Sequence, residues 1–284
     1  MLQVRNLQFA YPDSRTALSG VSFTIAKGRR VAIAGENGSG KTTLARLMCG
    51  LLKPTGGTIV VEGLNTADSR SIHEIRRRVG IAFQDPDDQL VEVTVEREIG
   101  FGLRNLGLEI GEVERRVGRA LEIFGIGHLR RRPCHLLSAG EKQIITVASI
   151  FAMSPDYIIL DESTSLLDTE ARRRVLMAVE RLLSETGAGL VFISMRIEDV
   201  WTCDEVIFLK DGMVDFEGTK EAFLTYLREH TMPLHGLSLL VGRLDGAIPG
   251  LGLKLAQSRE LSAERVSEVL VEMGKGLEGG GACR

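Results

Sequence analysis

The sequence predicts an α/β fold, and three observations lead to this prediction. Short apolar runs rich in β-branched residues, such as 30–34 and 157–160, have the composition of buried strands. Runs with helical apolar spacing separate these strands, and a glycine-rich loop joins 30–34 to the first helix. The run 157–162 predicts a buried strand that ends in two carboxylates, Asp161 and Glu162. Strands that alternate with helices are typical of a sheet covered by helices.

The composition predicts a globular chain with no membrane-spanning segment of its own. Its 284 residues, 44% hydrophobic and 26% charged, suffice for one large domain and a small appendage. The net charge of −3 provides no overall basic field for nucleic acid. The first residues lack signal-peptide organisation, and no C-x-x-C pair occurs among Cys49, Cys134, Cys203 and Cys283. We therefore expect a reduced chain in the cytoplasm that reaches a membrane only through a partner.

The first 34 residues predict short strands with turns. Alternating apolar residues indicate strands at 2–9 and 21–25, and the turn at 10–14 contains Tyr11. The Tyr11 ring could stack on an adenine base or pack at the turn, and the local sequence leaves both interpretations open.

The loop at 35–43 matches the phosphate-binding pattern G-x-x-x-x-G-K-[ST]. Glycines let the backbone bring N–H groups close to phosphate oxygens, and a following helix, predicted at 44–52, adds partial positive charge at its N-terminus. Lys41 is expected to reach the β- and γ-phosphates, and the Thr42 hydroxyl to ligate Mg²⁺. The predicted nucleotide-binding residues of the loop are Gly35, Asn37, Gly38, Ser39, Gly40, Lys41, Thr42 and Thr43.

The stretch between this loop and residue 157 predicts a helical insert in an α/β core. A strand at 58–61, a helix at 71–78 and a strand at 79–83 lead to a polar loop that begins at Gln84. Two amphipathic helices then follow, at 93–106 and 112–124. The basic run 130–132 is interpreted as a solvated surface, because no wider basic stripe accompanies it.

Ser138 and Glu141 have the spacing of a capping box at the start of a long helix. Capping alone accounts for both residues. The alternative is that Ser138 and the helix N-terminus bind an anion.

Asp161 and Glu162 stand where a buried strand ends, a position at which carboxylates are costly unless they are paired or liganded. Beside a phosphate loop, we expect Asp161 to hold Mg²⁺ or its water shell. Glu162 is placed to orient or deprotonate an attacking water.

The remaining chain predicts a polar turn at 163–168, a helix at 170–185, a strand at 189–194 and a hairpin of 206–209 with 213–216. A helix at 221–228 ends this region. From 231 to 284 glycine and leucine become frequent, which indicates a small C-terminal extension with a helix at 262–273 and a frayed end at 274–284.

These motifs together resemble those of ATP-binding-cassette (ABC) ATPases across residues 1–228. Residues 35–43 match Walker A, Gln84 the Q-loop, 137–143 the LSGGQ signature and 157–162 Walker B. Asp168 corresponds to the D-loop and Tyr11 to the adenine-stacking aromatic. The resemblance implies a P-loop NTPase cassette, with a mixed sheet core, an antiparallel β subdomain and a helical subdomain at about 85–155. The ATP-binding domain would span 1–230, and 231–284 would be a dimerisation-type extension.

A narrower resemblance is to the ATPases of energy-coupling-factor transporters, including cobalt-type ones. Residues 83–90 are similar to their F-Q-x-P-D-D-Q-L pattern, and 161–168 to their DEATSMLD. The tail from 244 also resembles their C-terminal extension. This similarity implies a subunit of an importer for a vitamin or a transition-metal ion.

The family resemblance implies ATP and Mg²⁺ as cofactors and a head-to-tail dimer of two ABC ATPase chains. The catalytic residues would be Glu162, Lys41 and Gln84, and the Mg²⁺ ligands Thr42, Gln84 and Asp161. The signature residues that would contact ATP on the partner chain are Ser138, Ala139, Gly140 and Glu141. Integral membrane subunits would bind the dimer at the cytoplasmic face of the membrane, and no nucleic acid is expected.

The sequence departs from the family at a position that bears on hydrolysis. The family places a His after the strand 189–194, where this chain has Met195, whose sulfur is only a weak acceptor. Arg196 is an alternative phosphate contact that the sequence leaves open. Ala139 replaces the first signature glycine, and Ile144 stands where the family usually has Arg.

We therefore expect slow turnover at this chain's own site and interpret the chain as one half of a heterodimer. Two alternatives remain: a nucleotide-gated dimerisation module with little hydrolysis, and an ABC ATPase without a transport role.

Overall fold

A computed structural model describes residues 1–194 and 196–230. The strands are β1 (Leu2–Ala10), β2 (Thr16–Ile25), β3 (Arg30–Gly35), β4 (Gly56–Val61), β5 (Leu64–Asn65), β6 (Val79–Ala82), β7 (Tyr157–Asp161), β8 (Gly189–Ile193), β9 (Glu205–Lys210) and β10 (Met213–Thr219). The helices are α1 (Lys41–Met48), α2 (Ile72–Arg78), α3 (Val95–Asn105), α4 (Ile110–Ile123), α5 (Ala139–Met153), α6 (Thr169–Thr186), α7 (Ile197–Trp201) and α8 (Lys220–Glu229).

The described strands form two sheets. A four-stranded sheet has the order β2-β1-β4-β5, and its neighbours pair antiparallel. A six-stranded sheet has the order β10-β9-β3-β8-β7-β6. Its strands β9, β3, β8, β7 and β6 run parallel, and β10 joins β9 as an antiparallel hairpin. The predicted mixed sheet with an antiparallel subdomain is therefore confirmed.

Strands β3, β7, β8 and β9 of the six-stranded sheet are buried on both faces, which explains why they are continuous apolar runs, whereas the hairpin strand β10 alternates exposed and half-buried residues. On β8, Val191 and Ile193 belong to a core shared with the four-stranded sheet and α1, whereas Leu190 and Phe192 face the helical side. Successive side chains of a strand point to opposite faces, so this division follows from the alternation. The sheet is thereby held rigidly between two cores, and the loops at its carboxyl edge are anchored on it.

The predicted helical insert is present. Helices α3, α4 and α5 pack against one another and share one core with the helical face of the six-stranded sheet. Helix α5 also contacts β6 and the short 3₁₀ turn at Pro86–Asp88. Among the described residues, no helix combines the length and apolarity needed to cross a bilayer.

Most predicted elements are present with shifted ends, and two of the shifts bear on the site. The first helix was predicted at 44–52, but α1 begins at Lys41, because the loop already turns into the helix at Gly40, and it ends at Met48. Gly50 then adopts a φ of 68°, which ends the helix although leucines continue the apolar spacing. Strand β7 ends at Asp161, so Glu162 belongs to the following turn. The predicted C-terminal extension at 231–284 lies outside the described residues.

Candidate functional site

The predicted phosphate loop opens onto a cleft at the carboxyl edge of the six-stranded sheet. The cleft has a volume of about 440 Å³. Its lining residues come from the loop, from both turns beyond β6 and β7, and from the antiparallel sheet: Tyr11, Arg15, Thr16, Ala17, Asn37, Gly38, Gly40, Lys41, Thr42, Thr43, Gln84 and Glu162. Sequence motifs that are far apart in the chain therefore meet at one surface.

Strand register explains why Gln84 and Glu162 meet in this cleft. Strands β6 and β7 are parallel neighbours, and Ala82 pairs with Leu160. Gln84 and Glu162 each lie two residues beyond that pair. Parallel strands end at the same edge of a sheet, which is where ligands bind in open α/β folds.

Two glycines give the loop its shape. Gly35 has a φ of 151°, and a side chain there would place its Cβ 2.3 Å from the backbone oxygen of Leu209. Gly40, the residue before α1, has a φ of 100°, and its Cβ would lie 2.6 Å from the Ala17 oxygen. Both positions combine a left-handed backbone with a close approach to another strand, so only glycine fits.

Lys41 is 5% exposed, and its ammonium donates hydrogen bonds of 2.8 Å to the backbone oxygens of Gly35 and Glu36. Burial lowers the pKa of Lys41, and the nearby charges of Glu162 and Asp161 oppose this effect. The ammonium thus lies inside the loop, on the same side as both carboxylates. The buried hydroxyl of Ser39 has no hydrogen-bond partner among the described residues, so the loop retains a polar group that a ligand could bind.

Asp161 is 2% exposed at the end of β7, and its Oδ1 accepts a 3.4 Å hydrogen bond from the Thr42 hydroxyl. Burial raises the pKa of Asp161 to about 6; the charge of Glu162 adds to the increase, and the Thr42 bond opposes it. Hydroxyl and carboxylate oxygens are the donors that Mg²⁺ prefers. Together with Gln84 at the same cleft, Thr42 and Asp161 form a donor set that fits Mg²⁺.

Glu162 adopts a left-handed backbone, with a φ of 49°. Its N–H donates to the Ile193 oxygen at 2.9 Å, and its own oxygen accepts from the Ser165 hydroxyl at 2.7 Å. A left-handed conformation costs about 1–3 kcal/mol for a residue other than glycine and is concentrated at functional sites. These bonds hold Glu162 in the turn that lines the cleft.

Tyr11 lies at the mouth of the cleft. Its hydroxyl forms a 2.9 Å hydrogen bond with the Thr43 hydroxyl, and its ring meets Phe9 edge-on at 5.0 Å. The Arg15 guanidinium lies 5.0 Å from the ring centroid. The structure therefore places Tyr11 against the phosphate loop, where both earlier interpretations, packing and adenine contact, are compatible with its position.

The loop after β6 is held by contacts that the sequence did not predict. Gln89 donates to the Ile81 oxygen at 2.6 Å and accepts from the Phe83 N–H at 3.1 Å. Gln143, fully buried on α5, donates to the Phe83 oxygen at 3.1 Å. Lys142 forms a 2.5 Å ion pair with Asp87. The signature helix is therefore tied directly to the loop that carries Gln84.

The signature residues do not line this cleft. Ser138 and Glu141 form the predicted capping box, in which the Ser138 hydroxyl accepts from the Glu141 N–H at 3.3 Å and the Glu141 carboxylate accepts from the Ser138 N–H at 2.8 Å. Ser138 and Ala139 are exposed. A Cβ on Gly140 would lie 3.7 Å from the Leu166 oxygen, so the signature borders the turn after β7. Ile144 is buried in the helical core.

Asp168 caps α6, accepting from the Ala171 N–H at 2.8 Å. The capping explains this residue structurally, and its predicted D-loop role stays a prediction.

Met195 lies outside the described residues. Arg196, directly before α7, is exposed.

A family description of ABC transporter proteins matches residues 18–165. A cobalt import ATP-binding protein, CbiO of Syntrophus aciditrophicus, is 41% identical, with 86% of this chain and 88% of that protein covered. An energy-coupling factor transporter ATP-binding protein, EcfA of Methanosarcina acetivorans, is 40% identical over 84% of this chain and 87% of that protein.

Solved structures give the same similarity. One of them is CbiO1 of Clostridium perfringens, described as part of the ABC transporter complex CbiONQ. It superimposes with a TM-score of 0.71 at 32% identity, and the alignment covers 89% of this chain and 98% of the CbiO1 chain. A dimeric ATP-binding cassette in a post-hydrolysis state with ADP and phosphate bound gives a TM-score of 0.72 at 26% identity, with 77% of this chain and 98% of that one covered.

Proposed function

Because this chain belongs to the ABC transporter family, we propose that it is the ATP-binding and ATP-hydrolysing subunit of an energy-coupling-factor type importer. As a family member it is an ATPase coupled to transport across a membrane. The transported substrate is a vitamin or a transition-metal ion. The metal ion is favoured by the similarity of this chain to the protein from Syntrophus aciditrophicus, which is named for cobalt import. We place the subunit at the cytoplasmic face of the cell membrane.

One observation carries this proposal: a single cleft brings together Tyr11, Lys41, Gln84 and Glu162, with Asp161 buried beneath it. Phosphate recognition is supported by Lys41, since an ammonium has three donors and the two backbone bonds leave one for a phosphate oxygen. Tyr11, which lines the same cleft beside Thr43, would contact the base.

Thr42, Asp161 and Gln84 would hold Mg²⁺, which supplies charge neutralisation to the phosphates when bound. Glu162 orients the attacking water and accepts its proton. Lys41 stabilises negative charge on the transferred phosphoryl group. The left-handed turn at Glu162 supports this role, since it directs the residue into the cleft and away from the strand.

The separation of the signature from the cleft supports a head-to-tail dimer. Ser138, Ala139, Gly140 and Glu141 would bind ATP held by a second ABC ATPase chain, at the N-terminus of α5. A helix N-terminus attracts phosphate through its unpaired N–H groups. The exposure of Ser138 and Ala139 makes them accessible to such a partner, and the capping box keeps the helix end ordered.

We further propose that this chain is the degenerate half of a heterodimer. The family His that contacts the γ-phosphate is replaced by Met195, so hydrolysis at this chain's own site is slow. The signature of this chain would serve a competent site on the partner. A nucleotide-gated dimerisation module with little hydrolysis is the second candidate, favoured by the same residue.

A groove beside the loop of Gln84 is proposed to receive an integral membrane subunit. It has a volume of about 270 Å³ and includes Leu90, Val91 and Val93. Val91 and Val93 are 66% and 62% exposed and, with Leu90, give the groove apolar side chains that a partner could cover. Since Lys142 and Gln143 tie this loop to α5, a partner in the groove would sense dimer closure.

The test is isolation of the tagged chain from detergent-solubilised membranes of its own cells. We expect an integral membrane protein and a second ABC ATPase to co-purify. The double variant Val91→Asp, Val93→Asp should lose the membrane protein and retain ATP binding, whereas Asp88→Ala on the same loop should keep both. Recovery with ribosomes or DNA, and without a membrane protein, would establish a non-transport ABC ATPase instead.

A further inference from the structure

Asp199, on α7, is a buried carboxylate to which the proposed function gives no role. It is 1% exposed. One oxygen accepts from the Ser194 hydroxyl at 2.6 Å and from the Thr164 hydroxyl at 3.5 Å. The other pairs with the Arg172 guanidinium of α6, whose side chain is 19% exposed.

These partners lie on two segments that border the cleft. Thr164 belongs to the turn after β7, two residues beyond Glu162. Ser194 is the first residue after β8, and its hydroxyl also accepts from the Arg196 N–H at 3.0 Å. Asp161 at the end of β7 pairs with Ile193 at the end of β8, so the turns that follow these two strands begin side by side at the carboxyl edge of the sheet. Asp199 therefore joins the turn of the proposed water-activating residue to the turn in which the family places its γ-phosphate contact.

Stability alone does not account for this arrangement. Removing two charges from water costs several kcal/mol for each ion, and well-packed apolar residues often replace buried ion pairs without loss. A buried carboxylate with three partners does, however, hold those partners in one geometry. The observation thus favours positioning over stabilisation.

We propose that Asp199 is a positioning residue for ATP hydrolysis, which fixes the turns after β7 and β8 relative to each other through Thr164 and Ser194. It touches neither nucleotide nor water. Its effect is on the rate of the chemical step and on order in the two turns, and ATP affinity, which depends on the phosphate loop, is unaffected. This inference rests on the proposed ATPase function.

The test compares wild type, Asp199→Asn and Ser194→Ala with Ser194→Thr, which restores a hydroxyl. Glu180→Gln is the matched control. Like the pair of Asp199 with Arg172, the pair of Glu180 with Arg30 joins α6 to another element, but it lies at the amino end of β3, away from the cleft. Excess protein is mixed with radiolabelled Mg-ATP, and phosphate release in a single turnover is followed for hours, so that a slow site is still measured. ATP affinity is determined by equilibrium binding, and backbone order by amide hydrogen exchange.

We expect Asp199→Asn and Ser194→Ala to slow phosphate release by about tenfold to a hundredfold, as small misplacements do, with ATP affinity within about twofold of wild type. Exchange should rise at 163–168, at Ser194 and at Arg196, and not in the phosphate loop. Ser194→Thr should recover the rate, and Glu180→Gln should match wild type. If Asp199→Asn does not fold, the comparison of Ser194→Ala with Ser194→Thr tests the inference.

Wild-type rates in both Asp199→Asn and Ser194→Ala would overturn this inference and leave the proposed ATPase standing. Equal slowing in Glu180→Gln would also overturn it, because a general loss of stability would then explain the effect. A wild-type chain that binds no ATP would overturn the proposed function, and this inference with it.

Discussion

The Thr42 hydroxyl donates a 3.4 Å hydrogen bond to the buried Asp161 carboxylate, and this bond joins the first turn of α1 to the end of β7. It is long for a hydroxyl bond and leaves much of the cost of burying Asp161 uncompensated. That cost has measurable consequences for stability and for pH dependence.

Replacing Asp161 by Asn should stabilise the nucleotide-free chain near neutral pH. The folded pKa of about 6 lies above the unfolded value, so the stabilising proton is fully bound below about pH 4 and lost as pH rises through 6. Above that pH the ionised group opposes folding, and Asp161→Asn should gain about 1–3 kcal/mol. Thermal unfolding at pH 7.5 and pH 4 measures this, and the gain should disappear at the lower pH.

Asp88→Asn is the control, because Asp88 is an exposed carboxylate on the loop after β6. A lower melting temperature for Asp161→Asn at pH 7.5 would contradict the prediction. The same variant should also lose the Mg²⁺ dependence of ATP binding, since an amide is a poorer ligand than a carboxylate.

Tyr11 variants separate the ring from the hydroxyl. Tyr11→Phe keeps the edge contact with Phe9 and loses only the bond to Thr43, so ATP affinity should change by less than about threefold, the value of one weak hydrogen bond. Tyr11→Ala removes the ring and should weaken binding by about 1–3 kcal/mol. Displacement of a fluorescent ATP analogue measures both. Equal affinity in Tyr11→Ala and wild type would show that the tyrosine only packs.

Gly40→Ala should be far more damaging than an alanine at another left-handed glycine. The new Cβ would lie 2.6 Å from the Ala17 oxygen and 2.7 Å from Leu18, whereas Gly107, with a φ of 73°, has open space around it. We expect Gly107→Ala to cost about 1 kcal/mol in urea denaturation and Gly40→Ala about 3 kcal/mol or more, with loss of ATP binding. Similar costs in the two variants would mean that backbone strain alone matters at Gly40.

Gln89→Ala should destabilise the loop that carries Gln84. It removes the bonds to the Ile81 oxygen and the Phe83 N–H, and each lost bond is worth about 1 kcal/mol. We expect about 2 kcal/mol in denaturant unfolding and faster amide exchange at 83–90. Asp88→Ala, one residue earlier and exposed, should show neither effect. An unchanged exchange pattern in Gln89→Ala would show that the helix contact at Gln143 holds the loop alone.

Local patterns predicted much of the fold, because the signals lie within a few residues. The apolar runs of β3, β7 and β8 are continuous since both faces of their sheet are buried. The capping box at Ser138 needed only a spacing of three residues, and it is present. The end of α1 was wrong because leucine spacing continues past Met48, while the left-handed backbone of Gly50 decides the boundary.

Long-range partners could not be predicted in the same way. Gln143 belongs to the signature motif in sequence, yet its amide binds the Phe83 oxygen, 60 residues away in the chain. Asp199 carries no motif of its own, and its contacts with Thr164 and Ser194 follow from the register of β7 and β8. Such roles depend on which strands become neighbours, and the local patterns of a single sequence do not reveal that.

The most direct test of the central proposal is phosphate release from the purified chain with Mg-ATP, for wild type and for Met195→His. Glu162→Gln in each background is the control and should abolish release, since it removes the proposed water-activating carboxylate. We predict slow turnover in wild type and at least about a tenfold increase in Met195→His, the scale of one added transition-state contact. Turnover of about 1 s⁻¹ or faster by wild type alone, unchanged in Met195→His, would contradict a degenerate site and would favour a homodimer.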